Sequence, residues 1–311
     1  MNLTLLWSTF NLGLLYGLLV LGVFITFRIL NYADLTVDGS LPLGAAITAI
    51  LIYTGTNPFL ATLAALPLGA LAGLMTGILH ARFSITPLLS GILTMIGLYS
   101  INLRIMGRPN VPLLKHGTIF DALTGLGISL RASQTVIALA VIILVIVGLY
   151  LFLSTELGQA LRGTGDNEVM LRSLGVNTNR MKILGLAISN SLVALSGALI
   201  AQYQGFADIN MGIGMIVIGL ASVIIGEVVL GVKSIPGRLC AVVVGSILYR
   251  LAIALVLRIR FIEYTDLKLF TALLVTIALI SPKISKRFKQ AHKLAVAEEG
   301  QKDGLSEKVG G

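Results

Sequence analysis

Polar side chains set in hydrocarbon are the first chemical signal in this chain. Asp34, Thr36, Asp38 and Ser40 fall within the stretch NYADLTVDGS, between two long apolar runs. Glu227 stands alone in VIIGEVVLG, and Asn102 interrupts a further apolar run. A carboxylate at bilayer depth costs on the order of several kcal/mol, so it faces a cavity, a partner or water. Two uses fit such groups. They can line a passage for a polar solute, or they can carry a coupling proton or ion at a broken helix. Structural readings stand beside these: Glu227 hydrogen-bonded near one end of its helix, and Asp38 or Ser40, ahead of Pro42, capping the helix that follows.

A second signal is the charged piece TGDNEVMLRSLGVNTNRMK at 164–182, flanked by Val, Leu, Ile, Ala and Gly. Asp166 or Asn167 can cap a helix, with Glu168 in its first turn and Arg172 in its last. Gly165 precedes the caps. Gly175 supplies a left-handed stop, and Asn177 can cap the next helix from Thr178. Met170, Leu171 and Leu174 are expected to form one apolar face. A helix of two turns does not hold alone in water, so something must cover that face.

Enzyme chemistry finds no support. The histidines His80, His116 and His292 fall in separate stretches, and no HExxH, GxSxG or cysteine pair occurs. No metal site is expected. GEVVLGVKS at 226–234 comes near a phosphate-binding loop, but Val232 separates Gly231 from the lysine, and the loop would be filled with Val and Leu. ATP is therefore not expected to bind this chain.

The elements that must carry these residues follow from composition. The chain has 311 residues, 56% hydrophobic and 12% charged, with a mean hydropathy of +0.94. A soluble domain is nearer one quarter charged, so the solvent for most of this chain is lipid. A spanning helix needs roughly 20 apolar residues, and nine segments approach that length: 3–27, 37–54, 58–79, 85–105, 134–153, 182–203, 211–231, 236–257 and 267–281. The second and last are short enough to be re-entrant or broken. The expected fold is an all-α, polytopic membrane helix bundle of eight or nine transmembrane or re-entrant helices, with one short cytoplasmic helix. Residues 1–282 form the membrane domain, with 154–181 in the cytoplasm, and 283–311 form a basic, partly disordered tail. Alternation puts Arg28, Arg82, Arg162, Arg172, Arg180, Lys182, Lys233, Arg238 and the tail's lysines and Arg287 inside, as the positive-inside bias requires. The C-terminus is then cytoplasmic and the N-terminus extracytoplasmic. The net charge of +9 is explained by anionic lipid rather than nucleic acid. Gly69, Gly73 and Gly77, like Gly13 and Gly17, recur every four residues and suit close helix packing, within the chain or at a dimer seam.

These motifs carry a resemblance. Gly165-Asp166-Asn167 through Gly175-Val176-Asn177 resembles the coupling segment of ABC importer permeases of the branched-chain amino acid and ribose type. ALSGALIA at 194–201, the Gly-rich stretch 215–248 and ADLTVDGSLPLGAA at 33–46 are similar to the family's other motifs, in the same order, over roughly residues 5–282. The resemblance implies a permease subunit that forms the path for a small solute, works as a homodimer with two ATPase subunits that bind the ATP, and receives solute from an extracytoplasmic binding protein. It implies ATPase contact for Gly165, Asp166, Asn167, Glu168, Met170, Leu171, Arg172, Leu174, Gly175 and Asn177. Two departures count against a sugar: Asp38 intrudes between Val37 and Gly39, and Glu227 stands where the sugar permeases usually have glycine. NYADLTVDGS is closest to a subgroup linked with aromatic amino acids such as tryptophan or tyrosine. The alternative is an ion- or proton-coupled secondary transporter using Asp34, Asp38 or Glu227 without an ATPase.

Overall fold

The computed structural model describes residues 3–114, 116–232 and 234–256, together with 269, 271–273 and 275–276. In hydrocarbon every backbone N–H and C=O must be satisfied within its own segment, and the described membrane residues accordingly form helices. In chain order they are α1 (Leu3–Phe24), which ends in a π-helical turn at Ile25–Ile29, α2 (Val37–Tyr53), α3 (Pro58–Ala81), α4 (Pro87–Met106) and α5 (Leu130–Ser154). Then come α6 (Glu156–Asp166), α7 (Glu168–Ser173), α8 (Thr178–Gln204), α9 (Met215–Leu230) and α10 (Ile235–Val256). Among the described residues seven spans are long and apolar enough to cross a bilayer, and α2 is a shorter apolar helix. The ninth expected segment, 267–281, falls largely outside the described residues, and the tail 283–311 lies wholly outside them.

Burial separates core from periphery. The apolar window of α1 is 83% buried and that of α8 72%, against 22% for α4 and 28% for α5. Thus α1 and α8 form the centre, with α2 and α3 against α8, and α10 against both α1 and α9. Lipid offers no hydrophobic drive between helices, so association depends on close backbone approach. At Gly44 of α2 a Cβ would strike the Ala194 carbonyl of α8, and at Gly73 of α3 it would strike that of Leu186. Gly69 and Gly77 face α8 in the same way, and Gly13 and Gly17 meet Ile247 of α10 and Ile142 of α5. Both small-residue stripes therefore serve packing within the chain.

The short α2 has a physical cause. After Ile29 the chain turns through Asn31, a non-glycine residue at φ 52°, and runs back into the bundle. Asp34 and Ser40 reach the level of Asn190 on α8, about 18 Å along the axis from Thr178 at 1.5 Å per residue. So α2 begins deep in the bundle and needs fewer turns to leave it. At the other end, β1 (Asn110–Pro112) and β2 (Phe206–Asp208) pair antiparallel, with Val111 opposite Ala207. This small ladder was not expected from the sequence.

Gly44→Ala is expected to lower the melting temperature of the purified protein, by the roughly 1–3 kcal/mol typical of overpacking. Gly97→Ala, where a Cβ meets nothing within 4 Å, is expected to leave it unchanged. Equal melting temperatures for the two variants would contradict the packing described for α2 and α8.

Candidate solute path and coupling surface

Three of the expected path residues form a closed polar knot. Asp34 is fully buried. Its Oδ1 accepts from the Thr36 backbone N–H at 2.9 Å and its Oδ2 from Asn190 Nδ2 at 2.7 Å. Asn190 in turn accepts from Ser40 Oγ at 2.7 Å and donates to the Leu186 carbonyl at 3.0 Å. The Thr36 hydroxyl pairs with that of Thr76 at 2.7 Å. Asp34, Thr36 and Ser40 thus tie the deep turn to α3 and α8, and among the described residues all three are without exposed surface. Asn190 was missed in the sequence, where the run ISNSLVALSG reads as membrane filler; an amide in such a run was the available signal.

Asp38 does something else. Its Oδ2 accepts from Gly214 N–H at 2.9 Å and its Oδ1 from Ile216 N–H at 2.8 Å. A carboxylate suits the positive end of a helix, and α9 has no side-chain cap of its own at Gly214. The expectation that Asp38 or Ser40 caps α2 is therefore corrected: the N-cap of α2 is Thr36, without a side-chain bond, and Asp38 caps α9 across the bundle. Beside it lies a cavity of 450 Å³, lined by Asp38, Tyr99, Ser100, Asn102, Ile209 and Ile213 among others. Asn102 Nδ2 donates to the Gly39 carbonyl at 3.1 Å, while its Oδ1 is buried with no hydrogen-bond partner. Such an acceptor costs about 1–3 kcal/mol unmatched. The Asn102 oxygen is closed off from the cavity, which itself offers the partly exposed Asp38 carboxylate, the Tyr99 ring and an apolar wall, a lining that suits an amphipathic solute carrying a donor.

Glu227 does not join this set. It sits near the far end of α9, about 18 Å along the helix from Met215. There it accepts from Arg28 Nε at 2.8 and 3.0 Å and from Nη2 at 2.6 Å. The structural reading made for Glu227 from the sequence describes this geometry.

The charged piece divides into three parts. Gly165 and Asp166 end α6, and at Gly165 a Cβ would strike the Ile29 carbonyl, so the backbones of α6 and the π-turn touch. Asn167 caps α7 by accepting from Met170 N–H at 3.0 Å, and Asn177 caps α8 by accepting from Arg180 N–H at 3.1 Å. Between them Gly175 sits at φ +84°, with Val176 N–H bonded to the Leu171 carbonyl and Gly175 N–H to that of Arg172. This is a Schellman stop. The single apolar face is corrected. Leu171 turns inward against Gly163 of α6 and is 8% exposed, whereas Met170 and Leu174 point outward at 52% and 69%. Val169, overlooked in the sequence, joins them at 79%.

Glu168 anchors this short helix. Its carboxylate accepts from Lys182 Nζ at 2.8 and 2.9 Å, from Arg172 Nη2 at 2.6 Å and from the Thr178 hydroxyl at 3.1 Å. The hydrogen bond from Lys182 is the main reason its pKa falls below the ordinary value; the Lys182 and Arg172 charges and the Thr178 hydroxyl help, and partial burial opposes them. A lowered carboxylate pKa stabilises the folded state above the ordinary value near 4.5, and that stability is lost as pH falls through the lowered one. Amide exchange across 168–174, corrected for intrinsic rates, is expected to be slow at about pH 6 and to quicken near pH 3. Glu168→Gln is expected to exchange quickly at both. A wild-type helix indifferent to acid would contradict the anchoring role.

Comparison with known proteins fits this arrangement. Residues 5–280 match the family described as branched-chain amino acid transport system / permease component. The chain is 43% identical over 295 residues to the tyrosine transport system permease protein of Clostridioides difficile, covering 95% of this chain and 97% of that one. It is 35% identical over 269 residues to an uncharacterized protein of Rickettsia prowazekii, covering 85% and 93%. The ribose import permease protein RbsC of Escherichia coli K12 is 26% identical over 217 residues, covering 69% and 66%. No solved structure matches the chain. With this family matched along nearly its whole length, the chain belongs to the branched-chain amino acid and ribose permeases, the multi-pass, non-catalytic membrane components of ATP-binding cassette importers.

Proposed function

We propose that this permease carries an aromatic amino acid of the tyrosine class, entering by the cavity between α2, α4 and the start of α9. The observation that carries the reading is the pairing of the partly exposed Asp38 carboxylate with the half-exposed Tyr99 ring in one cavity. An ammonium would face the Asp38 carboxylate, and the ring would face an aromatic side chain, a contact worth about 0.5–1.5 kcal/mol. The name of the relative from Clostridioides difficile supports the same class.

For the drive, we infer that ATPase subunits grip α7 through Val169, Met170 and Leu174, and that ATP is bound there and not by this chain. The support is the outward aim of these apolar side chains on a six-residue helix. The segment 154–181 is then cytoplasmic, the start of α1 lies outside, and a solute-binding protein meets the opposite face near the β1–β2 ladder. A second copy of the chain completes the path. A nucleotide state that holds α7 more tightly in one conformation shifts the balance between outward and inward access.

Two outcomes are expected in proteoliposomes holding the assembled transporter. Tyr99→Ala is expected to weaken tyrosine uptake roughly three- to tenfold while leaving ATP hydrolysis in place. Val169→Ser with Leu174→Ser is expected to abolish the coupling of hydrolysis to uptake while the chain still inserts. Unaltered tyrosine uptake in both variants would contradict the assignment.

A further inference from the structure

At the end of the bundle that carries α6 and α7 lies a second cavity, of 370 Å³. Its polar lining is Arg28, Gln159, Arg162, Asp166 and Arg238. Arg162 Nε is buried with no hydrogen-bond partner. Arg28 is held by Glu227, and neither Arg162, Arg238 nor Asp166 forms an ion pair among the described residues. Three guanidinium groups against the Asp166 and Glu227 carboxylates leave one net positive charge, which matches a phosphodiester. Arginine suits that ligand because its planar fork donates to two phosphate oxygens at once.

Position decides which phosphate. Arg28 lies one residue before the end of the span Thr4–Ile29, and Arg238 lies in the first turn of α10. Leu153 is next to the last residue of α5. These are headgroup depths. The remaining wall is apolar, with Phe24, Leu153 and Ile235, so glycerol and acyl chains can continue from the phosphate into hydrocarbon. Basic pockets between membrane helices hold anionic headgroups in this way. We propose that this cavity binds the phosphate of an anionic phospholipid, with Arg162 and Arg238 as its main donors. Bound there, the lipid bridges α6 to α1 and α10. The inference stands apart from the solute and ATPase readings and requires neither.

The test uses the full chain, delipidated in detergent. Dioleoyl phosphatidylglycerol, dioleoyl phosphatidylcholine and inorganic phosphate are each added, and bound lipid is counted by native mass spectrometry alongside the melting temperature. Phosphatidylglycerol is expected to be retained at one per chain and to raise the melting temperature, with phosphatidylcholine retained at least about tenfold more weakly. Arg162→Gln with Arg238→Gln is expected to lose that preference, Arg162→Lys with Arg238→Lys to keep part of it, and Arg104→Gln, at the opposite end, to keep all of it. Equal retention of the two lipids by the wild-type chain would overturn the proposal without any variant having to fold. So would a glutamine pair that binds phosphatidylglycerol normally. Stabilisation by inorganic phosphate equal to that by phosphatidylglycerol would also overturn it, by marking a free-phosphate site.

Discussion

The Glu168 carboxylate makes a helix of six residues into part of a much longer one. On its own, α7 has too few internal bonds to persist. Lys182, Thr178 and Arg172 converge on the carboxylate, and the first two belong to the opening turns of α8. The Schellman stop at Gly175 sets the bend, and the Asn177 cap restarts the helix. A push on Val169 or Leu174 is therefore received by α8. That helix is buried along most of its length and carries Asn190, the centre of the polar knot. A continuous line of bonded groups thus runs from the exposed surface of α7 to the deep turn at Asp34.

The deep turn explains why carboxylates are tolerated where lipid would forbid them. Asp34 has no cation near it among the described bonds; it is satisfied by an amide and a backbone N–H. Asp38 is satisfied by the amides that open α9. Each carboxylate replaces water with fixed donors, which keeps a buried polar group affordable. Because Asp38 caps α9 from α2, and Asn102 holds the Gly39 carbonyl from α4, the walls of the candidate solute cavity are joined at the same turn. A shift of α2 relative to α8 would reach all of them together.

Local features of this molecule were legible in its sequence, and long-range ones were not. Asn167, Gly175 and Asn177 were readable because a cap bonds within three or four residues of itself. The spans were readable because length and hydropathy are local sums. The inward turn of Leu171 was not, since it depends on Gly163 in a different helix. Asp38 finds its partners at Gly214 and Ile216, and Glu227 finds Arg28, separations no pattern of spacing encodes. The short α2 was visible as a length, but its cause lies in Asn190, an amide that looks like filler until Asp34 is placed against it. The β1–β2 ladder joins three-residue strands from distant parts of the chain, too short to leave a period in either.

The central claim is that α7 and α8 move as one body. It is tested by pulsed electron paramagnetic resonance on the assembled transporter, with spin labels at Ser173→Cys, on the exposed surface of α7, and Arg180→Cys in a Cys240→Ser background, and a second pair at Ser173→Cys and Leu88→Cys. On adding ATP, the distance between 173 and 180 should stay constant while that between 173 and 88, on α4, changes. A 173–180 distance that changes with nucleotide while the 173–88 distance holds would mean that α7 swings free of α8, and the account would fail.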